Sequence, residues 1–175
     1  MKQTKQIALC AVMIALALAL SWTERFIPLQ LAVPLPGIKL GLANIVTLVA
    51  LCSFKTRYAA MILIPRCIFG AIFGGGITAL MFSLCGGLMA LAVMAIAWRS
   101  PAFSVYGVSI LGAAAHNVGQ ILAAMMLLRS VYIGAYLPFL LLVSVVTGLL
   151  TGGITAGVLK ILPYASISVP AEMRR

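Results

Sequence analysis

Residues 77–97, ITALMFSLCGGLMALAVMAIA, form a continuous run without a charged side chain. A helix needs about 20 consecutive apolar residues to cross the hydrocarbon core of a bilayer, and this run supplies them. In the whole chain 64% of the residues are hydrophobic and 8% are charged, whereas a soluble domain carries about 25% charged residues. Because so few charges cannot form a water-facing surface, lipid is the expected solvent for most of the chain.

The other apolar stretches predict an all-α fold, a compact bundle of about six transmembrane helices in a single domain over residues 1–175. The predicted spans are about 6–22, 40–54, 58–73, 77–97, 107–128 and 136–159. The second would be only about 22 Å long, against a core of ~30 Å, so we expect a short or sheltered helix. Gly74-Gly75-Gly76 predicts a turn between the third and fourth spans.

The chain carries twelve Lys or Arg residues and two acids, and the basic residues lie in the gaps between apolar runs. With the N-terminus inside, eight of them fall in inner segments and three in outer loops. The positive-inside tendency therefore predicts a multi-pass membrane protein with both termini in the cytoplasm. The first apolar run lacks a small-x-small cleavage site, so we expect a retained helix. The sequence shows no basic face with interleaved aromatic residues, so nucleic-acid binding is not expected.

Arg66 is the most costly residue within a predicted span, because a charge near the middle of a bilayer is expensive and the other spans contain no acid. It can tie helices together through carbonyls and amide side chains. Alternatively, it faces a cavity and counters an anionic group of a substrate. Both interpretations stay open from the sequence.

The fifth span carries a second polar group, His116, Asn117 and Gln120, at spacings of three and four residues. Three adjacent hydrogen-bonding side chains favour a cavity lining, although a lone membrane histidine is often a packing group. Asn44, with Lys39 before it, is either a helix start with a snorkelling lysine or the rim of an outward-facing pocket. His116 is the only histidine and the cysteines are scattered, so no metal site is predicted.

Small residues form stripes on the first and sixth spans. Ala11, Ala15 and Ala19 recur at spacing four, a pattern that suits packing within the bundle or docking of another protein. On the sixth span, Gly148, Gly152, Gly153, Ala156 and Gly157 are interpreted as internal packing.

Catalysis has little support, because no carboxylate pair is available for acid–base work or for Mg²⁺ and no Walker motif is present. We expect no catalytic residues and no cofactor. A chain that binds a polar molecule in the membrane without a means of energising its movement needs a partner.

Three motifs resemble the Gx transporter family, whose members are often labelled heptaprenyl diphosphate synthase component I: PGIKLGLANI (36–45), FGGG (73–76) and AHNVGQ (115–120). The family is similar to the S-components of energy-coupling-factor transporters, which implies an S-component-like six-helix bundle. The resemblance implies that Ala11, Ala15 and Ala19 dock on a transmembrane coupling protein. It also implies that the loop Thr23–Lys39 covers an outward-facing pocket. The enzyme label conflicts with the scarcity of acids, since prenyl diphosphate synthases use aspartate-rich Mg²⁺ motifs.

The leading hypothesis is a non-enzymatic substrate-capture subunit of an uptake system in the bacterial cytoplasmic membrane. Its substrate would be a small molecule such as a vitamin or an isoprenoid or quinone precursor. The subunit would work with a coupling protein and two cytoplasmic ATPases. The expected contacts are Arg66, His116, Asn117, Gln120, Lys39 and Asn44. Two alternatives stay open: a non-catalytic scaffold for a prenyl diphosphate synthase or quinone-related enzyme, and a stand-alone facilitator or ion-coupled carrier.

Overall fold

The computed structural model describes residues 2–26 and 41–161. Within these ranges the chain is helical and contains no strand, as α1 (Lys2–Thr23), α2 (Asn44–Ser53), α3 (Thr56–Gly70), α4 (Gly76–Ala97), α5 (Val105–Leu128) and α6 (Leu137–Ile161). Short 3₁₀ helices follow α1 at Glu24–Phe26 and precede α6 at Val131–Tyr136. The predicted all-α fold is confirmed, and each predicted span overlaps one of these helices.

Five helical stretches of the described chain are long and apolar enough to cross a membrane, which makes this a multi-pass membrane protein. The exception is α2, with 10 residues, of which eight are buried. It contacts each of the other five helices. The prediction of a short, sheltered second helix is confirmed, because a helix of about 15 Å cannot span the core and needs protein around it.

Glycines allow α4, α5 and α6 to pack closely in chain order. A Cβ on Gly119 of α5 would lie 2.6 Å from the carbonyl oxygen of Cys85 on α4. A Cβ on Gly148 of α6 would lie 2.5 Å from the Cα of Ile110 on α5. At Gly152 it would lie 3.1 Å from the Cα of Tyr106. Internal packing is therefore confirmed for the sixth-span glycines 148 and 152, whereas Gly157 has nothing within 4 Å of that position.

The glycine run 74–76 differs from the predicted turn, because α3 continues as a π-helical turn over Ala71–Gly75. Only Gly76 leaves helical geometry, with φ 68° and ψ −179°. A side chain disfavours this backbone conformation, which glycine adopts without steric cost. One glycine thus joins α3 to α4, and the flanking residues keep helical hydrogen bonds.

The alanine stripe on α1 is exposed on the surface of the described bundle. Ala11, Ala15 and Ala19 are exposed, whereas Ala17 is fully buried against the other helices. Among the described residues, α1 packs mainly against α3 and α2. The stripe is therefore not used for packing in the described bundle, and its use in docking stays a prediction.

Candidate functional site

Arg66 lies inside the bundle, with 6% of its surface exposed. Its Nη2 donates a hydrogen bond to Oδ1 of Asn44 at 3.2 Å, and its Nη1 donates to Oγ of Ser21 at 3.5 Å. Its Nε is buried without a hydrogen-bond partner in the described part of the chain. The guanidinium is thus held by neutral side chains from α1 and α2, and part of its donor capacity is unused.

The short α2 explains why Asn44 reaches Arg66. Asn44 begins α2 and Arg66 follows the start of α3 at Thr56, so each lies about ten residues from the tight connection between the two helices. Two antiparallel helices with that register bring these positions to the same level. A longer α2 would carry its polar first residue beyond Arg66.

His116 lies beside this pair, with 3% of its surface exposed. Its ring is between the backbone of Gly41 and that of Gly86 on α4. A Cβ on Gly41 would lie 3.2 Å from Cδ2 of His116 and 2.9 Å from Nδ2 of Asn44. A Cβ on Gly86 would lie 2.9 Å from Nδ1 of the same histidine. We call Asn44, Arg66 and His116 the polar cluster.

Two adjacent glycines on α4 make room for the polar cluster. Gly86 faces His116, and a Cβ on Gly87 would lie 3.4 Å from Nη2 of Arg66. Sequence analysis missed them, although a glycine pair in the middle of an apolar helix is a signal for close approach of another group. Gly41 was also missed as a site residue. Its φ of 84° favours glycine.

Glu24 is a further residue that sequence analysis did not assign to the site. It follows α1 directly, within the predicted loop Thr23–Lys39, and it is buried, with 6% exposure. Its Oε1 accepts a hydrogen bond from the backbone N–H of Leu42. The carboxylate thereby fixes the chain just before α2, close to Gly41 and Asn44.

Asn117 points to α6 and away from the polar cluster. Its Nδ2 donates to the carbonyl oxygen of Leu140 at 3.0 Å and to Oγ of Ser144 at 2.9 Å. The Ser144 hydroxyl in turn donates to the same carbonyl at 2.7 Å. These hydrogen bonds connect α5 to α6, so Asn117 has a structural role between the two helices.

Replacing Asn117 with leucine is expected to lower the free energy of unfolding by about 1 kcal/mol, because an interhelical hydrogen bond in a membrane protein contributes about 0.6 kcal/mol on average and two are lost. Unfolding followed by circular dichroism in detergent measures this change. Ser144→Ala and the double variant complete the cycle and should be less than additive with it. An unchanged stability accompanied by loss of a bound small molecule would instead make Asn117 a ligand contact.

The remaining predicted site residues are placed as follows. Gln120 is fully buried, one helical turn beyond His116 on α5. Lys39 lies outside the described residues. Below Asn44, a cavity of about 10 Å³ extends the polar lining to Ser109, Thr147 and Thr151. Ser109 and Thr151 share a hydrogen bond of 2.7 Å between their hydroxyl oxygens. In the described part of the chain, no three His, Cys, Asp or Glu residues group in a way that could hold a metal.

Taken together, these features define a multi-pass helical membrane protein with a buried cation and polar groups that converge from three helices. The family model for heptaprenyl diphosphate synthase component I matches residues 13–158, so the chain belongs to this family. The resemblance to the Gx transporter family is thereby confirmed over most of the chain. No curated protein and no solved structure matches the chain at a significant level.

Proposed function

We propose that this protein is the substrate-binding subunit, or S-component, of an energy-coupling-factor type uptake transporter. The observation that supports it most is the environment of Arg66. Its hydrogen bonds within the described residues go to the neutral Asn44 and Ser21. A buried cation without a neutralising partner is unfavourable, and an anionic group of a ligand would remove that cost. The proposed substrate is therefore a small molecule with an anionic group.

The polar cluster supplies the proposed contacts. Arg66 would counter the anionic group, while Asn44 and His116 would hydrogen-bond its polar atoms. Gln120 and Lys39 are further proposed contacts. Asn117 is left out, because its amide hydrogens are used between α5 and α6. With the termini in the cytoplasm, the pocket would open outward below the loop Thr23–Lys39.

Docking on a transmembrane coupling protein is proposed for the exposed alanine stripe of α1. Two features support it: Ala11, Ala15 and Ala19 are exposed in the described bundle, and Ala15 and Ala19 line a groove of about 440 Å³. The groove is lined by Ala15, Leu18, Ala19, Ser21, Trp22, Gly70 and Phe73. A flat alanine surface beside such a groove suits close packing of a partner helix. Two cytoplasmic ATPases would drive transport through that partner.

Replacing Ala15 with leucine is expected to reduce recovery of the coupling protein at least tenfold in co-purification, because the added side chain holds the partner helix away from α1. The matched control is Ala92→Leu, an exposed alanine on α4, which should leave recovery unchanged. Quantitative mass spectrometry of the co-purified proteins measures both. Equal recovery with Ala15→Leu and with the unmodified chain would contradict docking through this stripe.

The complete proposal is tested by affinity purification of the chain from native membranes in mild detergent, followed by mass spectrometry of the proteins recovered. We expect two ATPases of the ABC class and a membrane coupling protein. Substrate flux in liposomes that contain this chain alone, without ATP, would contradict the proposal and favour a stand-alone carrier.

The family description favours a second candidate function, a non-catalytic membrane subunit of a prenyl diphosphate synthase. In that case the same purification would recover a soluble prenyltransferase in place of the ATPases. The polar cluster would then hold α2, α3 and α5 together and would bind no ligand.

A further inference from the structure

A basic pocket lies at the end of the bundle away from the polar cluster, where α2 meets α3. It has a volume of about 190 Å³ and is lined by Leu51, Phe54, Lys55, Thr56, Ala95, Trp98 and Arg99. Lys55 lies in the connection between α2 and α3, and Arg99 is the second residue after the end of α4. Two chain segments that are distant in sequence thus place two cations around one cavity.

In the described part of the chain, no acidic side chain lies at this pocket to neutralise Lys55 and Arg99. The chain contains two acids, Glu24 and Glu172. Glu24 is bound to the backbone of Leu42 near the start of α2, and Glu172 lies outside the described residues. The neighbouring Arg57 is engaged elsewhere, since its Nη2 donates to the hydroxyl of Tyr58 at 2.9 Å. Lys55 and Arg99 remain exposed at the pocket, ready for an external anion.

The position of the pocket indicates the source of that anion. α2 ends at Ser53 and the apolar α4 ends at Ala97, so the pocket lies where the hydrocarbon region gives way to headgroups. Trp98 lies in this region, and tryptophan is enriched at the interface between membrane and water. The pocket floor is apolar, with Leu51 and Phe54 each 2% exposed. On the last turn of α4, Ile96 is 71% exposed and offers a surface for an acyl chain.

We propose that this pocket binds the headgroup phosphate of an anionic phospholipid. Lys55 and Arg99 would pair with the phosphate, and the Thr56 hydroxyl would donate a hydrogen bond to one of its oxygens. The glycerol and upper acyl segments would lie along Trp98 and the last turn of α4. Basic pockets between helix ends are a known type of site for anionic lipid headgroups. This site is separate from the polar cluster and does not depend on the transport proposal.

Native mass spectrometry of the purified full chain tests the site, with phosphatidylglycerol and phosphatidylcholine added in parallel. The variant K55Q/R99Q is expected to bind phosphatidylglycerol about thirtyfold more weakly, which corresponds to about 1 kcal/mol for each cation near an anionic surface. Each single variant should lose about fivefold. Both side chains are exposed, so thermal unfolding should match that of the unmodified chain.

Lys160→Gln is the matched control, because Lys160 is an exposed cation in the last turn of α6 that does not line the pocket. It should retain the preference for phosphatidylglycerol over phosphatidylcholine. An equal preference in K55Q/R99Q and in the unmodified chain would overturn the proposal. Binding of inorganic phosphate to the unmodified chain as tightly as phosphatidylglycerol would also overturn it, since the site would then select a free anion and not a lipid.

Discussion

Replacing Arg66 with leucine is expected to abolish binding of the anionic small molecule and to leave the helical bundle folded. Truncating one partner of a buried charge contact costs about 2–5 kcal/mol of binding free energy, a loss of about thirtyfold or more in affinity. Folding should persist, because replacing a buried charge with an apolar residue removes a desolvation cost. The measurement is the amount of small molecule released by solvent extraction from protein purified out of native membranes, quantified by mass spectrometry.

The control for this substitution is Arg129→Gln, at the exposed end of α5, which should keep the full amount of bound molecule. Arg66→Leu leaves Oδ1 of Asn44 without its donor, so the single variant can lose some stability. The double variant Arg66→Leu/Asn44→Leu removes both partners and should restore that stability without restoring binding. Unchanged ligand content in folded Arg66→Leu protein would exclude Arg66 from the site.

Replacing Gly148 with alanine is expected to have the largest effect on stability, a loss of about 1–3 kcal/mol in the free energy of unfolding. The added Cβ would lie 2.5 Å from the Cα of Ile110, which is backbone and cannot rotate away. α5 and α6 would have to separate, and that would disturb the hydrogen bond between Ser109 and Thr151 one turn further along.

Gly157→Ala on the same helix is the matched control. A Cβ there would meet nothing within 4 Å, so the substitution should raise stability by about 0.5–1 kcal/mol through the lower flexibility of alanine. Denaturant titration in detergent micelles, followed by circular dichroism, measures both variants. Equal effects of the two substitutions would contradict the close α5–α6 packing at Gly148.

The sequence predicted the short α2 because the stretch between Lys39 and Lys55 is too brief to cross the bilayer. It did not predict how the short α2 affects the candidate site. Only the packed structure shows that Asn44, the first residue of α2, lies at the level of Arg66 and accepts a hydrogen bond from it. The predicted turn at Gly74–Gly76 was partly wrong, because glycine composition does not distinguish a turn from a π-helical segment that ends at one glycine with a positive φ.

Among the predicted site residues, adjacency in sequence did not predict which side chains lie together. His116 and Asn117 are neighbours, yet a step of about 100° around a helix turns one toward α4 and the other toward α6. Arg66 and Asn44 are 22 residues apart and in contact. Gly86 and Gly87 belong to the site only because α4 presents them to His116 and Arg66.

The sequence by itself determined the class of protein and the six helices of the described residues, because apolar length and scarcity of charge are properties of each segment alone. The tertiary structure decided which polar residues share a site, that the stripe Ala11, Ala15 and Ala19 stays exposed, and that Lys55 and Arg99 flank one pocket. These outcomes depend on how far each helix is rotated and shifted against its neighbours. That arrangement is set by close packing at positions such as Gly119 and Gly148, and a pattern within a single segment does not contain it.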